Sequence, residues 1–390
     1  MPLTISLLTF GGLALGLAAA RSAAERPRVR EFGLRIGVLE PGPLNAITDV
    51  PGVKVGQVTL VEGTDIRTGV TAILPHDGNV FQDKVPGAVS VANGFGKLTG
   101  TTQVEELGTI ETPIILTNTL SVPTAADALI DYTLGLPGNE GVQSVNPVVG
   151  ETNDGWLNDI RGRHVTKSHV LEAIRKASPG PVAEGAVGAG AGTMCFQFKG
   201  GIGTASRRLA PDRGGYTVGV LVQTNFGGVL TINGVNVSEA VSGRARGAAS
   251  AWAAGDPPGR RADGSCMIVV ATDAPLDSRN LRRLAARALL GIARTGGYDS
   301  NASGDYAIAF STDPGLRVSD RSQSPLRAVS LLRDERVSRL FQAAAEAAEE
   351  AILDSLFKAE TTTGKDGRKA EALPLDKLRD ALDARDKGRG

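Results

Sequence analysis

Hydrophobic positions along the chain recur at two spacings. Val53, Val55, Val58 and Leu60 stand among small or polar residues, the near-alternation of a half-buried strand. Apolar runs at Gly69–Pro75, Ala88–Val91, Ile114–Asn118, Tyr216–Thr224, Cys266–Ala271 and Tyr306–Phe310 predict further strands, several of them bounded by Gly, Pro or Asn turns. Ala46–Val50, ahead of a Pro51-Gly52 turn, and Met194–Phe198 read the same way. The second spacing is helical. Ala125, Ala128, Leu129 and Tyr132 share one face, with Thr124 placed to cap its start and Gly135 to end it. Val170–Ile174 predicts another helix. Leu281, Leu284, Ala285, Ala288, Leu289 and Ile292 predict a third from about Asp277, and Val337, Leu340, Phe341, Ala344, Ala348, Ala351 and Ile352 a long fourth. From Thr361 onward the polar and charged residues predict a surface tail or a short exposed helix.

Between Ser242 and Gly264 the apolar period is lost, which predicts an exposed connector. Strand segments flank it on both sides, so it interrupts one sheet system rather than separating two cores. The reading is a layered α/β fold in one domain.

Composition narrows the chemistry. Lys plus Arg and Asp plus Glu are both 42, so the chain is neutral and carries no bias toward nucleic acid or an acidic membrane surface. Fifty glycines without a collagen period point to tight turns and close backbone approaches. Cys195 and Cys266 allow at most one disulfide and read as two buried thiols. His76, His164 and His169 lack zinc-ligand spacing, so no metal or other cofactor is expected. No G-x-S-x-G occurs, and Gly94-Phe95-Gly96-Lys97-Leu98 lacks the Ser or Thr of a phosphate loop. The glycines at 185, 188, 190 and 192 follow Pro179-Gly180-Pro181 and precede a strand, the wrong context for a dinucleotide site; they predict backbone packed on backbone.

Leu3–Ala20 is almost wholly apolar or small, with small-residue sites at Ala18-Ala19-Ala20 and Ser22-Ala23-Ala24. Residues 1–24 therefore read as a signal peptide without a basic n-region, and the mature protein as periplasmic or secreted. The catalytic domain is expected over 25–390.

Asp263-Gly264-Ser265-Cys266 joins the connector to an apolar strand. A serine opening a buried strand, straight after a glycine, is where an N-terminal-nucleophile hydrolase cuts its own chain; taken alone, the local sequence fits an ordinary turn better. If the bond before Ser265 is cut, its freed α-amine, with a pKa of roughly 7.7 to 8.0, suits a general base beside its own hydroxyl. Cys266 lies one residue deeper in the apolar run. Two other places concentrate polar groups at strand ends. Glu151 to Asp159 sets six polar side chains and Trp156 after a short strand, as a site or as a self-satisfied turn. Asn225 closes the strand from Tyr216, as a hydrogen-bond donor into a site or as a turn residue.

A resemblance decides between these readings. Gly264-Ser265-Cys266 with Val269-Val270-Ala271-Thr272-Asp273-Ala274-Pro275-Leu276 resembles the nucleophile segment of the self-processing serine aminopeptidases of the L-aminopeptidase/D-amidase/D-esterase family, which includes the β-peptidyl aminopeptidases. The likeness extends to Asn45–Val53, Arg67–Thr71, Glu151–Asp159, Gly200–Gly203 and Ser303-Gly304-Asp305, nearly all of the chain after the leader.

It implies a four-layer αββα sandwich, cleavage into an α chain ending at Gly264 and a β chain of residues 265–390 that stay together, and a homo-oligomer, often a tetramer of αβ units. It implies Ser265 as nucleophile, Asn225 as oxyanion donor, Ser303 with Asp305 as a pair that orients Ser265, and Glu151 beside the substrate's amino group. Trp156 stands in the substrate site where relatives carry a tyrosine. Asp305 stands where β-peptidyl aminopeptidases have Glu, and the other motifs look closer to the L-aminopeptidase/D-esterase branch. The expected activity is release of N-terminal residues from short peptides, amides or esters, with the choice between α- and β-peptides left open. The rival readings are an acyl transferase like ornithine acetyltransferase, which uses a threonine nucleophile, and an uncleaved binding protein of the same fold.

Overall fold

The computed structural model describes residues 25–242, 264–320 and 322–387. The leader and most of the connector lie outside the described residues. In chain order the principal strands are β1 (Lys54–Glu62), β2 (Ile66–Leu74), β3 (Asp83–Gly94), β4 (Ile114–Asn118), β5 (Val148–Thr152), β6 (Ile202–Arg208), β7 (Thr217–Asn225), β8 (Ser265–Thr272) and β9 (Gly304–Ser311). The principal helices are α1 (Val122–Leu134), α2 (Lys167–Arg175), α3 (Ser278–Ala288), α4 (Leu290–Thr295), α5 (Ser338–Phe357) and α6 (Leu375–Lys387).

Two sheets stack face to face. One runs β1-β2-β4-β5, with only the β4–β5 pair parallel. The other runs β3-β9-β8-β7-β6, with short strands added against β3, and only its β8–β9 pair is parallel.

Strand β8 shows how the sequence builds four layers. Cys266, Ile268 and Val270 pack outward against Leu281, Leu284 and Ala285 of α3 and Ala344 and Ala348 of α5. Met267, Val269 and Ala271 pack inward with Ile73, Ile114 and Leu116 of the other sheet. A strand buried on both faces reads as a continuous apolar run, as this one does. On the far side, Val70, Ala72, Ile115 and Val149 meet Ala125, Ala128 and Leu129 of α1 and Val170 and Ile174 of α2. The architecture is the αββα sandwich that was expected. Each fully buried Val, Leu or Ile contributes on the order of 1.5–3 kcal/mol, so these three clusters set the scale of stability.

Several local expectations are corrected. Ala46–Val50 forms a 3-10 turn at Ile47–Asp49, because Asp49 Oδ2 accepts from the Ala46 N–H at 3.1 Å and Oδ1 from the Leu44 N–H at 2.9 Å. Met194–Phe198 is a tight hairpin, with Phe196 and Gln197 at positive φ. Helix α1 begins before Thr124: Asn118 Oδ1 accepts from the Ser121 N–H at 3.0 Å, and Pro123 occupies the first turn. The segment after Thr361 ends in the helix α6, but it is anchored, with Ala370, Leu373 and Leu378 buried. The 185–192 glycines do pack backbone on backbone: a Cβ at Gly190 would lie 2.5 Å from the Ile202 nitrogen.

A buried ion network lies under the N-terminal segment. Arg207, fully buried, meets Glu350 Oε2 at 2.6 Å and Glu346 Oε2 at 3.3 Å. Arg30 meets Glu350 at 2.6 Å, and Arg28 meets Glu184 at 2.8 Å and Asp354 at 3.0 Å.

Candidate active site

Ser265 opens β8, and both neighbouring strands reach it. It is the register partner of Asn225, the last residue of β7, and of Gly304, the first of β9. Ser265 is 7% exposed. The Gly304 N–H is directed at two oxygens, Ser265 Oγ at 3.3 Å and the Gly264 carbonyl at 3.2 Å. Asn225 Oδ1 accepts from the Met194 N–H at 3.0 Å, which fixes the side-chain amide and leaves its NH2 end for another acceptor. Gly264 must be glycine: a Cβ there would overlap the Asn225 carbonyl oxygen and Phe226 Cα.

Ser303 and Asp305 flank Gly304. Asp305 pairs in register with Cys266 and is 1% exposed. Burial pushes its carboxyl up to about 7, with the Asp299 carboxylate adding to the rise and Ser303 and the Cys266 amide opposing it. The 300–303 loop is held by Asn93, whose Nδ2 donates to the Ser300 and Ser303 carbonyl oxygens at 2.9 and 2.5 Å.

Glu151 lies on β5, in the other sheet, and is 2% exposed. Its Oε1 accepts from the Lys97 N–H at 3.0 Å and its Oε2 from the Thr119 hydroxyl. Burial raises its pKa, and these two donors and the Lys97 charge hold it down. Gly96 joins this carboxylate to the Ser265 row: a Cβ on it would lie 3.1 Å from Gly304 Cα and 3.3 Å from Glu151 Oε1. The structure thus gathers Ser265, Asn225, Ser303 and Asp305 at three adjacent strand ends and brings Glu151 to them across the sandwich.

Trp156 stands in the turn after β5. Its ring lies under the Arg368 guanidinium, 4.6 Å from the ring centroid, and its carbonyl accepts from Arg368 Nη1 at 3.3 Å. Its neighbour Asp154 is fully buried and pushed up to about 7, chiefly by desolvation. Lys199, also fully buried, is pulled down to about 7 for the same reason and donates to the Gly190 and Gly200 carbonyls at 2.8 and 2.7 Å. Both cysteines are free and buried, as expected, and burial raises both thiols. Among the described residues no cluster of His, Cys, Asp and Glu is built to hold a metal.

Sequence reasoning missed Gly96, Lys97 and Met194, which act here through their backbone, and Asn93 and Thr119, which act through side chains. Asn93 had a signal, an Asn-Gly pair closing an apolar strand.

The sequence profile described as Peptidase family S58 matches residues 45–370. The chain belongs to peptidase family S58. Among its S58 relatives, the β-peptidyl aminopeptidase BapA of Sphingosinicella microcystinivorans is 42% identical over 384 residues, covering 94% of each chain. A solved structure of a protein from Pyrococcus horikoshii OT3 superposes with a TM-score of 0.83 at 48% identity, over 92% of this chain and 99% of that one. The L-aminopeptidase D-Ala-esterase/amidase of Ochrobactrum anthropi, described as a prototype of the serine aminopeptidases and a variant of the Ntn hydrolase fold, also gives 0.83, at 36% identity over 93% and 99%. Membership in S58 makes this chain a serine aminopeptidase of the N-terminal-nucleophile type. The nearer likeness to the L-aminopeptidase branch read from short motifs does not extend to overall identity, which is higher with BapA.

Proposed function

We propose that this S58 aminopeptidase cuts its own chain between Gly264 and Ser265 and then uses Ser265 to release N-terminal residues from short peptides, amides and esters, β-peptides included. The observation that carries the reading is the row Asn225, Ser265, Gly304, with a glycine forced at position 264.

In self-cleavage Ser265 Oγ attacks the Gly264 carbonyl carbon, and the Gly304 N–H steadies the oxygen as it gains charge. The C–N bond breaks as the hydroxyl proton passes to the Ser265 nitrogen, leaving an ester. Water hydrolyses that ester to a Gly264 carboxylate and a free Ser265 amine and hydroxyl. In turnover the amine takes the hydroxyl proton as Oγ attacks the substrate carbonyl and returns it to the leaving amine or alcohol; water then hydrolyses the Ser265 ester, which frees the N-terminal residue and restores the hydroxyl. Asn225 Nδ2 donates to the oxyanion. Ser303 orients the serine and Asp305 holds Ser303. Glu151 receives the substrate's ammonium, the one charge an aminopeptidase must recognise at its amino end. Trp156 has an indole N–H and no exchangeable hydroxyl, so it serves here in binding.

We further assign residues 1–24 as an export signal and the working particle as an oligomer of αβ units, on the apolar leader and on family membership. Among the described residues no helix is long and apolar enough to cross a membrane.

A denaturing gel and intact masses test the central claim. Active protein should give fragments ending at Gly264 and beginning at Ser265, and S265A should remain one inactive chain. A single full-length band from active protein overturns the mechanism. Rates on an L-alanyl anilide and its β-homo counterpart test the substrate range.

A further inference from the structure

Asp305 poses a problem that the reaction above leaves unsolved. Its carboxylate is buried, and among the described residues the donors beside it, the Ser303 hydroxyl and the Cys266 N–H, do not meet either oxygen at full hydrogen-bond geometry. A buried carboxylate so weakly donated to is costly to ionise, which favours a proton on it. Asp305 borders a small pocket that Asp299, Ser303 and Phe226 also line. Asp299 is exposed and sits at φ 49°, a left-handed position that brings its carboxyl within hydrogen-bonding reach of Asp305. Two ionised carboxylates are acceptors only, so a hydrogen bond between them requires a proton.

We propose that Asp299 is a positioning residue that shares one proton with Asp305 and exchanges it with solvent. This rests on the reading in which Asp305 supports Ser265 through Ser303. The geometry gives the pair a direction: Asp305 is shut in beside Cys266, whereas Asp299 faces water, so protons reach the buried carboxyl by way of the exposed one. The titratable groups facing the pair are Cys266 from β8, with Cys195 behind it, Tyr306 from β9 and Tyr298 from the loop. Helix α4 contributes apolar Ile292 to the pocket, and its Arg294 is engaged with Glu349 of α5 at 2.7 Å. A like charge at Asp299 holds the proton on Asp305. Removing that charge lets Asp305 ionise at lower pH, and any step that needs its carboxylate persists to lower pH.

The test compares full-length wild type, D299N and D299E, carrying 13Cγ-labelled aspartate, with Asp305 assigned by D305N. Asp305 titration by NMR and the acid limb of kcat/KM should both move down by about one pH unit in D299N, and return in D299E. An unmoved Asp305 titration in folded D299N overturns the proposal. If D299N does not mature, the NMR titration still reads the pair in the precursor. If D299N does not fold, D305N must return Asp299 to the ordinary carboxylate range, and failure to do so overturns the pair. The catalytic reading fails separately, when S265A is still cut and active; the Asp305 titration remains a valid readout of the pair in that event.

Discussion

Asn225 and Ser265 face each other as the terminal pair of two antiparallel strands, and Asn225 is held by the Met194 N–H at its oxygen end. In the proposed mechanism that orientation offers the nitrogen end to the developing oxyanion. N225A should lower kcat by roughly 10²- to 10³-fold. N225D should lower it further, because a carboxylate keeps the Met194 contact and repels the oxyanion. Steady-state kinetics on matured protein, with thermal melts to show an intact fold, check both.

Glu151 accepts from the Lys97 N–H and the Thr119 hydroxyl, both of which E151Q can keep through its amide oxygen only in part. The charge-assisted bond to a substrate ammonium is worth about 1.5–3 kcal/mol, so kcat/KM should fall about 10- to 100-fold, mostly through KM. Burial raises the Glu151 pKa, so in the wild type KM should rise as pH falls through that raised value. A KM independent of both charge and pH would place the amino group elsewhere.

Arg207 is buried between Glu346 and Glu350. R207M takes the guanidinium from Glu346 and leaves Glu350 with that of Arg30 alone, and should cost about 3–5 kcal/mol in urea unfolding. Replacing Glu346 and Glu350 with apolar residues in the same variant should recover most of that loss. Recovery would show that the cost lies in the unpaired charges rather than in the missing guanidinium packing.

The Asp154 and Lys199 sites should leave opposite marks on stability. Asp154 has a folded pKa raised to about 7, so its contribution is complete below the unfolded value and is lost as pH rises through 7. Lys199 has a folded pKa lowered to about 7, so the unfolded chain holds the extra proton above pH 7 and stability rises from there toward the unfolded value. D154N should flatten the acid side of the profile and K199M the alkaline side, measured by chemical unfolding across pH.

The sheets were legible because β7, β8 and β9 are buried on both faces and their apolar runs have no other use. The place of Ser265 at the head of a buried strand was legible too, while its proposed role as nucleophile rests on the long matched motifs that raise it above a plain Gly-Ser turn. Glu346, Glu350 and Asp354 were not legible: the apolar stripe of α5 assigns them no partner, and the arginines that pair with them arrive from positions 28, 30 and 207. Ala46–Val50 looked like a strand because an apolar pattern cannot register the Asp49 side chain bending the backbone back on itself. Asp299 escaped for a related reason, since nothing local tells an aspartate in a left-handed turn that another carboxyl lies within reach.

Strand β8 is held on one side by β7 and on the other by β9, in the interior of its sheet. A chain cut just before it keeps every ladder hydrogen bond of β8, so the Gly264–Ser265 peptide bond is dispensable to the finished fold. Its value is kinetic: it confines the two halves to one another's neighbourhood while the sheet assembles, at a loop-closure cost that grows only slowly with length. If the proposed cut occurs, the protein is a natural split protein. Its halves should stay together indefinitely once folded, yet reassemble poorly after full denaturation, because the tether that brought them together is gone.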